Sequence, residues 1–269
     1  MTMTASDLYL DLMKRIVCNT VYQDPDLDVS NVDIVEVSDG EKTELKMAGA
    51  ELVEFSAEGR GEGRDWPRDA HTMIGMKRLN NLQECAERAL ADGVPGDFME
   101  TGVWRGGACI FMRAVLAAHG VTDRRVWVAD SFEGIPEPDE RYPDDKPLWG
   151  IHLFEPLAIS LEQVQENFRR YGLLDEQVEF VKGRFADTLP TAPVERLSVL
   201  RLDGDLYEST MDALVNLYPK LSPGGFLIVD DYHALEACAK AVHDYRNEHA
   251  ITEPIIDIDW CGVYWRKEA

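Results

Sequence analysis

Apolar residues follow two alternating patterns along most of the chain, and their order predicts an α/β fold. Short apolar runs predict strands over Asp97–Glu100, Arg125–Ala129, Val178–Val181, Leu197–Leu200 and Phe226–Val229. Apolar positions at helical spacing predict helices over Ala108–His119, Leu161–Tyr171, Glu208–Leu221 and Ala237–Glu248. The last two apolar runs, Pro254–Trp260 and Val263–Trp265, predict a hairpin. Strands that alternate with helices are parallel, so the core is a mostly parallel sheet.

The first 92 residues have a weaker pattern and are expected to form an extension to a core over residues 93–269. Residues 5–22 predict an amphipathic helix, and Leu79–Ala91 predict another. Between them, Asp24–Arg68 is polar and lacks a regular period, with only Val32–Val37 suggesting order. Such a stretch is either a lid or disordered, with Glu58–Arg64 as its most flexible part.

Composition narrows the class of protein. The chain has 269 residues, 45% of them hydrophobic, and a net charge of -23, which makes nucleic acid an unfavourable partner. It contains neither a long apolar run nor a basic, apolar leader, so we expect a cytoplasmic protein without a membrane span. The five cysteines are widely spaced and are expected to be reduced thiols.

A glycine-rich turn follows the first predicted strand. The order Glu100, Gly102, Gly106, Gly107 differs from the GxGxxG turn of dinucleotide sites, because the tight pyrophosphate cradle is missing. Glu100 would repel a pyrophosphate but attract the amino group of a methionine moiety. Asp130, at the end of the next strand, can accept hydrogen bonds from two ribose hydroxyls. These features favour S-adenosylmethionine, with a plain strand-to-helix turn as the alternative.

Four carboxylates end the last two predicted parallel strands. Asp203 and Asp205 follow one strand, and Asp230 and Asp231 follow the next, so we expect all four at the same sheet edge. Like charges at that density raise each other's pKa unless a cation neutralises them, and a hard divalent metal is the simplest such cation. The alternative is that they cap helices or stabilise turns.

Two further segments are placed over this edge. Residues 133–160 contain five prolines together with Trp149, which indicates a loop that either covers the substrate or is a surface insertion. The turn after the third strand, with Gly183 and Phe185, can offer an aromatic ring and backbone groups to an adenine.

The longer motifs resemble those of the macrocin O-methyltransferase family, which methylates deoxysugar hydroxyls in antibiotic biosynthesis. The resemblance extends from about Asp65 to Trp265 and includes the segments His71–Gly75, Glu100–Gly107, Val128–Phe132, Arg201–Asp205 and Val229–Tyr232. It implies a class I methyltransferase fold, which is a doubly wound, seven-stranded, mostly parallel sheet with an antiparallel C-terminal hairpin. It also implies S-adenosylmethionine as donor, Mg²⁺, a homodimer and an N-terminal helical lid.

The resemblance also assigns roles to residues. It implies Asp205 as the general base and Asp203, Asp230 and Asp231 as metal ligands. Together with the residue-based arguments it places the cofactor on Thr72, Met73, Glu100, Thr101, Gly102, Trp104, Arg105, Gly106, Asp130, Ser131, Phe132, Gly183, Phe185 and Asp203. The chain departs from the family at Arg184, Ala186 and His233. These departures affect what the resemblance implies about the acceptor and the outer pocket, and they leave the donor and metal sites intact.

The predicted reaction is methyl transfer to one hydroxyl of a vicinal diol, on a sugar of a glycosylated small molecule. Magnesium lowers the pKa of a coordinated hydroxyl, and Asp205 takes its proton. A catechol-like aromatic diol is the nearest alternative acceptor. A metal-dependent hydrolase would have no need of the glycine turn or Asp130, and a non-catalytic binding module would have no need of Asp205.

Overall fold

The computed structural model describes residues 3–38, 43–148 and 150–268, so Trp149 lies outside the described residues. The helices are α1 Ala5–Val17, α2 Ala57–Glu62, α3 Gly75–Ala91, α4 Gly107–Ala118, α5 Leu161–Arg170, α6 Phe185–Thr188, α7 Tyr207–Leu217 and α8 Glu236–Glu248. The strands are β1 Asp26–Asp28, β2 Asp33–Ser38, β3 Thr43–Ala48, β4 Glu51–Val53, β5 Asp97–Thr101, β6 Val126–Asp130, β7 Val178–Lys182, β8 Leu197–Leu202, β9 Leu221–Val229, β10 Ile256–Asp257 and β11 Val263–Arg266.

The main sheet confirms the predicted fold class. Its order is β10-β11-β9-β8-β5-β6-β7, in which β9, β8, β5, β6 and β7 are parallel and β11 and β10 form the antiparallel C-terminal hairpin. The chain runs outward from β5 to β7 and then returns to β8 on the other side of β5. This reversal opens a crevice at the carboxyl ends of β5 and β8, where ligands bind in such sheets.

Apolar side chains cover both faces of the sheet. On one face, α1, α3, α4 and α5 pack around Phe98, Phe111 and Phe168, while α7 and α8 pack around Trp265 and Tyr245 on the other. Helix α1 begins at the Thr4 capping box and buries Leu10, Met13 and Val17 in the first of these clusters. The central strand β8 is accordingly buried at every position.

Of the two alternatives for residues 24–68, disorder is wrong, because the segment forms regular structure. Strands β1 and β4 pair with each other, as do β2 and β3. Residues 58–62 of the stretch Glu58–Arg64, predicted as the most flexible part, belong to α2. Arg60 on this helix is 1% exposed. Its guanidinium donates to the carboxylates of Asp24, Asp26 and Asp65 and to the carbonyl of Cys18. Charge pairing, which hydrophobic periodicity cannot detect, therefore orders this segment.

The covering segment over residues 133–160 also contains regular structure that the prolines did not suggest. Three short 3₁₀ helices occupy Pro143–Leu148, Ile151–Leu153 and Glu155–Leu157. Among the described residues, no helix combines the length and the apolar character needed to cross a membrane. All five cysteines are buried free thiols.

Candidate active site

A cavity of about 320 Å³ opens at the carboxyl ends of β5, β6, β7, β8 and β9. The N-terminal extension, the segment 133–160 and the C-terminal hairpin form its other walls. Predicted site residues on its wall are Thr72, Met73, Glu100, Gly102, Trp104, Asp130, Ser131, Gly183, Phe185, Asp203, Asp205, Asp230 and Asp231. The strand ends thus bring together the two predicted halves of the site, the glycine turn and the acid cluster.

The glycine turn packs directly against the acid-bearing turn. Gly102 has φ +81°, and a Cβ at this position would lie 1.6 Å from the carbonyl oxygen of Asp203. Only glycine allows this approach. Gly106 also has a positive φ, +84°, and faces Val164 and Phe168 of α5 instead of the cavity. The two glycines therefore have different roles, the first in joining β5 to β8 and the second in packing α5.

Glu100 lies at the base of the cavity and is 1% exposed. It accepts hydrogen bonds from Arg201 and from the Cys109 thiol, the latter with Sγ 2.9 Å from Oε2. Burial raises the pKa of Glu100 to about 7, even though Arg201 opposes the shift. A cationic amino group brought into the cavity would favour the ionised form of Glu100.

Asp130 is held by the backbone around it. Its Oδ2 accepts from the amide of Val103 at 2.7 Å, and its Oδ1 accepts from the amide of Phe132 at 2.8 Å. Burial raises the pKa of Asp130, and these backbone hydrogen bonds oppose the rise. The carboxylate is fixed in orientation, and its remaining lone pairs can accept from a ligand's hydroxyls.

Four predicted cofactor residues, Thr101, Arg105, Gly106 and Phe132, do not line the cavity. The Arg105 guanidinium donates to the carbonyl oxygens of Pro67 and Ala70 and stacks on the ring of Trp104, 4.0 Å from its centroid. Thr101 and Phe132 are buried. These four residues therefore pack behind the residues that line the cavity.

The acid cluster is partly neutralised by two buried arginines that the sequence analysis did not consider. Arg201 donates to Glu100, to Asp203 and to Asp230. Arg78 of α3 also donates to Asp230. An arginine within an apolar strand run was a signal for Arg201, since a buried guanidinium needs anionic partners.

Arg78 joins three parts of the chain. Besides Asp230, it donates to Asp259 at 3.2 Å and to the carbonyl of Gly63 at 2.9 Å. The indole N–H of Trp260 donates to the carbonyl of Glu62 at 2.9 Å. The N-terminal extension is thereby fastened to the C-terminal hairpin over the acid cluster.

Two of the four acids form the best candidate for a metal site. Ligand atoms of Asp230, Asp231 and Cys261 all lie within 4.8 Å of one another. Asp231 Oδ2 is buried and has no hydrogen-bond partner. Two carboxylates suit a hard cation such as Mg²⁺, whereas a thiol does not, and burial raises the pKa of Cys261 so that it stays protonated. Asp203 lies outside this group, and its Oδ2 accepts from Arg201 at 2.7 Å.

Asp205 lies beside this group on the cavity wall. Its backbone is left-handed, with φ +58°. Burial, followed by the charges of Asp203, Asp230 and Asp130, raises the pKa of Asp205 to about 7. A carboxylate with a pKa near neutrality can accept a proton from a bound hydroxyl and later release it.

The positions that depart from the family differ in their placement. Arg184 and Ala186 line the cavity, so they can contact a ligand. His233 does not line it, and its Nε2 lies 2.9 Å from Oδ1 of Asp257 on the surface. The covering segment 133–160 lies on the cavity wall through Gly134, Ile135, Pro136, Ile151 and Leu157.

The sheet order, the glycine turn and the strand-end acid at Asp130 define an S-adenosylmethionine-dependent methyltransferase. Residues 6–267 match the sequence profile of the macrocin O-methyltransferase (TylF) family. The chain belongs to this family, which implies S-adenosylmethionine as the methyl donor.

Individual relatives match over their whole length. The 8-demethyl-8-(2,3-dimethoxy-alpha-L-rhamnosyl)-tetracenomycin-C 4'-O-methyltransferase of Streptomyces olivaceus is 56% identical over 270 residues, which cover 100% of this chain and 96% of the relative. The mycinamicin III 3''-O-methyltransferase of Micromonospora griseorubida is 54% identical over 270 residues, 99% of this chain and 98% of the relative. The solved structure of the O-methyltransferase NovP, 50% identical, superposes with a TM-score of 0.87 over 98% of this chain and 100% of that one.

Proposed function

We propose that this enzyme transfers a methyl group from S-adenosylmethionine to one hydroxyl of a vicinal diol on a deoxysugar of a glycosylated secondary metabolite, with Mg²⁺ as the required metal. The names of the similar proteins support the acceptor class, because the first is a methyltransferase of a rhamnosyl-tetracenomycin and the second of mycinamicin III. We also propose a homodimer, as the family resemblance implies, and a lid role for the N-terminal extension.

The observation that supports this reaction most strongly is the position of Asp205. It lies on the cavity wall next to the Asp230 and Asp231 pair, and its pKa of about 7 is suited to a base. Asp205 would accept the proton of the hydroxyl as its oxygen attacks the methyl carbon, so that a neutral ether, a thioether and a protonated carboxyl result. The methyl group needs no further activation, because the sulfonium supplies the electrophile.

The metal site would hold the diol in place. Asp230 and Asp231 would provide carboxylate ligands, with Asp203 as the further ligand that the resemblance implies. When bound, Mg²⁺ supplies a positive charge that lowers the pKa of a nearby hydroxyl. Arg78 and Arg201 both donate to Asp230 and fix one orientation of its carboxylate, so this ligand would be oriented before the metal binds.

The donor would be held by the glycine-turn side of the cavity. Glu100 would accept from its amino group, Asp130 from its ribose hydroxyls, and Phe185 would contact its adenine. Thr72 and Met73 would border the methionine moiety. This arrangement would direct the methyl group toward Asp205 and the acid cluster, since β5 and β8 are neighbours.

The first experiment is a calorimetric titration with S-adenosylhomocysteine, with Mg²⁺ and again after chelation. Binding in both conditions supports a donor site that is independent of the metal. Turnover is then compared for a glycosylated acceptor, the same acceptor lacking one hydroxyl of the diol, and a catechol. If only the catechol is methylated, the acceptor is an aromatic diol and not a sugar. Unchanged turnover after chelation would contradict the metal requirement.

The role of Asp205 has its own test. We expect Asp205→Asn to lower kcat by a factor on the order of 10² to 10⁴ and to leave S-adenosylhomocysteine binding intact. Asp212→Asn is the matched control, because Asp212 also lines the cavity but lies within α7, beyond the turn that carries Asp205. Turnover that survives in Asp205→Asn would show that another group is the base.

A further inference from the structure

Asp145 is a buried carboxylate that no cation neutralises. It lies in the covering segment, in the 3₁₀ helix Pro143–Leu148, and is 0% exposed. No lysine, arginine or histidine of the described chain lies within ion-pairing distance of it. Its neighbour Asp144, in contrast, lies 3.5 Å from the ammonium of Lys240. A buried carboxylate without a counter-charge is unfavourable unless hydrogen bonds compensate for the lost water.

That compensation comes from the start of α7. Oδ1 of Asp145 accepts from the amide of Tyr207 at 2.6 Å, and Oδ2 accepts from the amide of Glu208 at 3.1 Å. The residue before this helix, Leu206, has no side chain that can cap it. Asp145 therefore caps α7 from 62 residues away in sequence, and the positive end of the helix dipole adds to the attraction.

The helix start that Asp145 caps lies two residues after Asp205. The intervening turn is fixed at its other end by β8, where the amide of Asp203 donates to the carbonyl of Thr101 at 2.8 Å. Asp205 has φ +58° between these two anchors, a left-handed conformation that non-glycine residues adopt uncommonly. Without the anchor on α7, the turn can relax toward a right-handed backbone and carry the Asp205 carboxylate away from its position.

The same segment also forms part of the cavity wall. Gly134, Ile135 and Pro136 line the cavity before Asp145, and Ile151 and Leu157 line it afterwards. The ring of Tyr142 packs against the ring of Tyr207, with centroids 6.0 Å apart, and brings the segment onto α7. Asp145 thus joins the wall that covers a ligand to the turn that holds the candidate base.

We propose that Asp145 is a positioning residue, which holds the Asp205 turn in its reactive conformation when the covering segment is seated on α7. The proposal rests on the proposed function, because it takes Asp205 as the base. It extends that function, because the carboxylate of Asp145 and the amides of Tyr207 and Glu208 connect the segment that encloses the acceptor to the turn that carries the base.

The test is a graded series at position 145. Asp145→Ala removes both acceptors, whereas Asp145→Asn keeps one acceptor oxygen. We expect kcat to fall by about ten- to hundred-fold in Asp145→Ala and by less in Asp145→Asn, because a misplaced catalytic group costs this much. The KM of the acceptor and the Kd of S-adenosylhomocysteine should change by less than about twofold, since no contact with either is removed.

The matched control is Asp144→Asn, which removes the same charge from the neighbouring position. It should keep the kcat of the unaltered enzyme. All variants are assayed well below their melting temperatures, so that loss of fold is separated from loss of rate. If Asp145→Ala is folded and keeps its kcat, or if only KM or Kd changes, the positioning role is overturned and the cap is merely structural.

Hydrogen exchange provides a second measurement that does not depend on turnover. Asp145→Ala should increase exchange over residues 203–209, and Asp144→Asn should not. If the unaltered enzyme methylates no acceptor, the proposed function fails. Hydrogen exchange alone then tests whether Asp145 holds the Asp205 turn. Increased exchange confined to 203–209 supports it, and unchanged exchange overturns it.

Discussion

Replacing Arg60 with methionine removes the guanidinium that three buried carboxylates share. The methionine keeps much of the side-chain volume, so the change tests charge and hydrogen bonding more than packing. Breaking a buried ion pair by removing one partner costs about 3–5 kcal/mol, because an uncompensated charge is left behind. We therefore expect Arg60→Met to lower the free energy of unfolding by about that amount.

This loss has a measurable thermal equivalent. The entropy of unfolding at the midpoint is about 2.1 cal/mol/K per residue, or about 0.56 kcal/mol/K for this chain. The melting temperature should therefore fall by about 5–9 °C. Urea denaturation followed by circular dichroism gives the free energy directly, and differential scanning calorimetry gives the temperature.

The carboxylates around Arg60 differ in their pKa values, which refines the expectation. Burial raises the pKa of Asp65 to about 6, and the neighbouring carboxyl of Asp26 adds to the rise. Burial acts to raise the pKa of Asp24 as well, but hydrogen bonds from Arg60, the backbone amide of Asp69 and Asn19 outweigh it and lower that pKa. Protonation of Asp65 limits the uncompensated charge at low pH, so the loss in Arg60→Met should be smaller at pH 5 than at pH 8.

Arg68→Met is the control for the same substitution at an exposed site. The Arg68 side chain is 46% exposed and pairs with Asp69 at 2.6 Å, and such surface pairs contribute less than about 1 kcal/mol. A loss in Arg60→Met no larger than that in Arg68→Met would refute the idea that buried charge pairing orders the N-terminal extension.

Two further predictions concern His71, which packs behind the cavity wall formed by Thr72, and Gly102 of the glycine turn. His71, whose Nδ1 lies 2.6 Å from the hydroxyl of Tyr171, has a pKa lowered to about 4 by burial and by neighbouring arginines. The unfolded chain therefore binds a proton before the folded one, and stability should fall between pH 6.5 and 4 by about 3 kcal/mol more than in His71→Gln, measured by denaturation across that range. Gly102→Ala should abolish S-adenosylhomocysteine binding in calorimetry, because its Cβ would overlap the carbonyl of Asp203. Gly93→Ala should cost only about 1–2 kcal/mol of stability, because its φ of +65° strains an alanine but nothing lies within 4 Å of its Cβ.

Each of these predictions has a contrary outcome. Equal acid sensitivity of the unaltered protein and His71→Gln would show that His71 is protonated in the folded state at no cost. Normal donor binding in Gly102→Ala would show that the glycine turn and the Asp203 turn separate readily. In that case the close approach of β5 and β8 would not be needed to form the site.

The strand and helix order of the core could be predicted because burial imposes a period on it. Leu197–Leu200 and Phe226–Val229 are mostly apolar since central parallel strands are covered on both faces, and both lie within observed strands. Where polar contacts stabilise the structure, the same logic fails. Arg60 lies in a polar, glycine-rich stretch, and nothing in its spacing indicates that Asp24 and Asp26 converge on it from far away.

The position of the acid cluster could be predicted from the strand order, whereas its counter-ions could not. The parallel arrangement of β8 and β9 correctly places Asp203 and Asp230 at one edge. Its counter-ions were missed because a sequence does not show which basic residue folds next to an acid. Arg78 lies on a helix 152 residues before Asp230, and Cys261 enters the candidate metal site from the hairpin turn.

The three contacts of Arg78 have a consequence for the order in which the protein is made. Its partners come from three separate parts of the chain: Gly63 from the N-terminal extension, Asp230 from the end of β9 and Asp259 from the C-terminal hairpin. During synthesis the first core strands can pair while Asp259 has yet to emerge, so the contacts of Arg78 are completed only after those strands. A nascent chain that lacks the last hairpin therefore lacks the Asp259 and Trp260 contacts that fasten the N-terminal extension beside the acid cluster, and its site is incomplete until the final residues have been added.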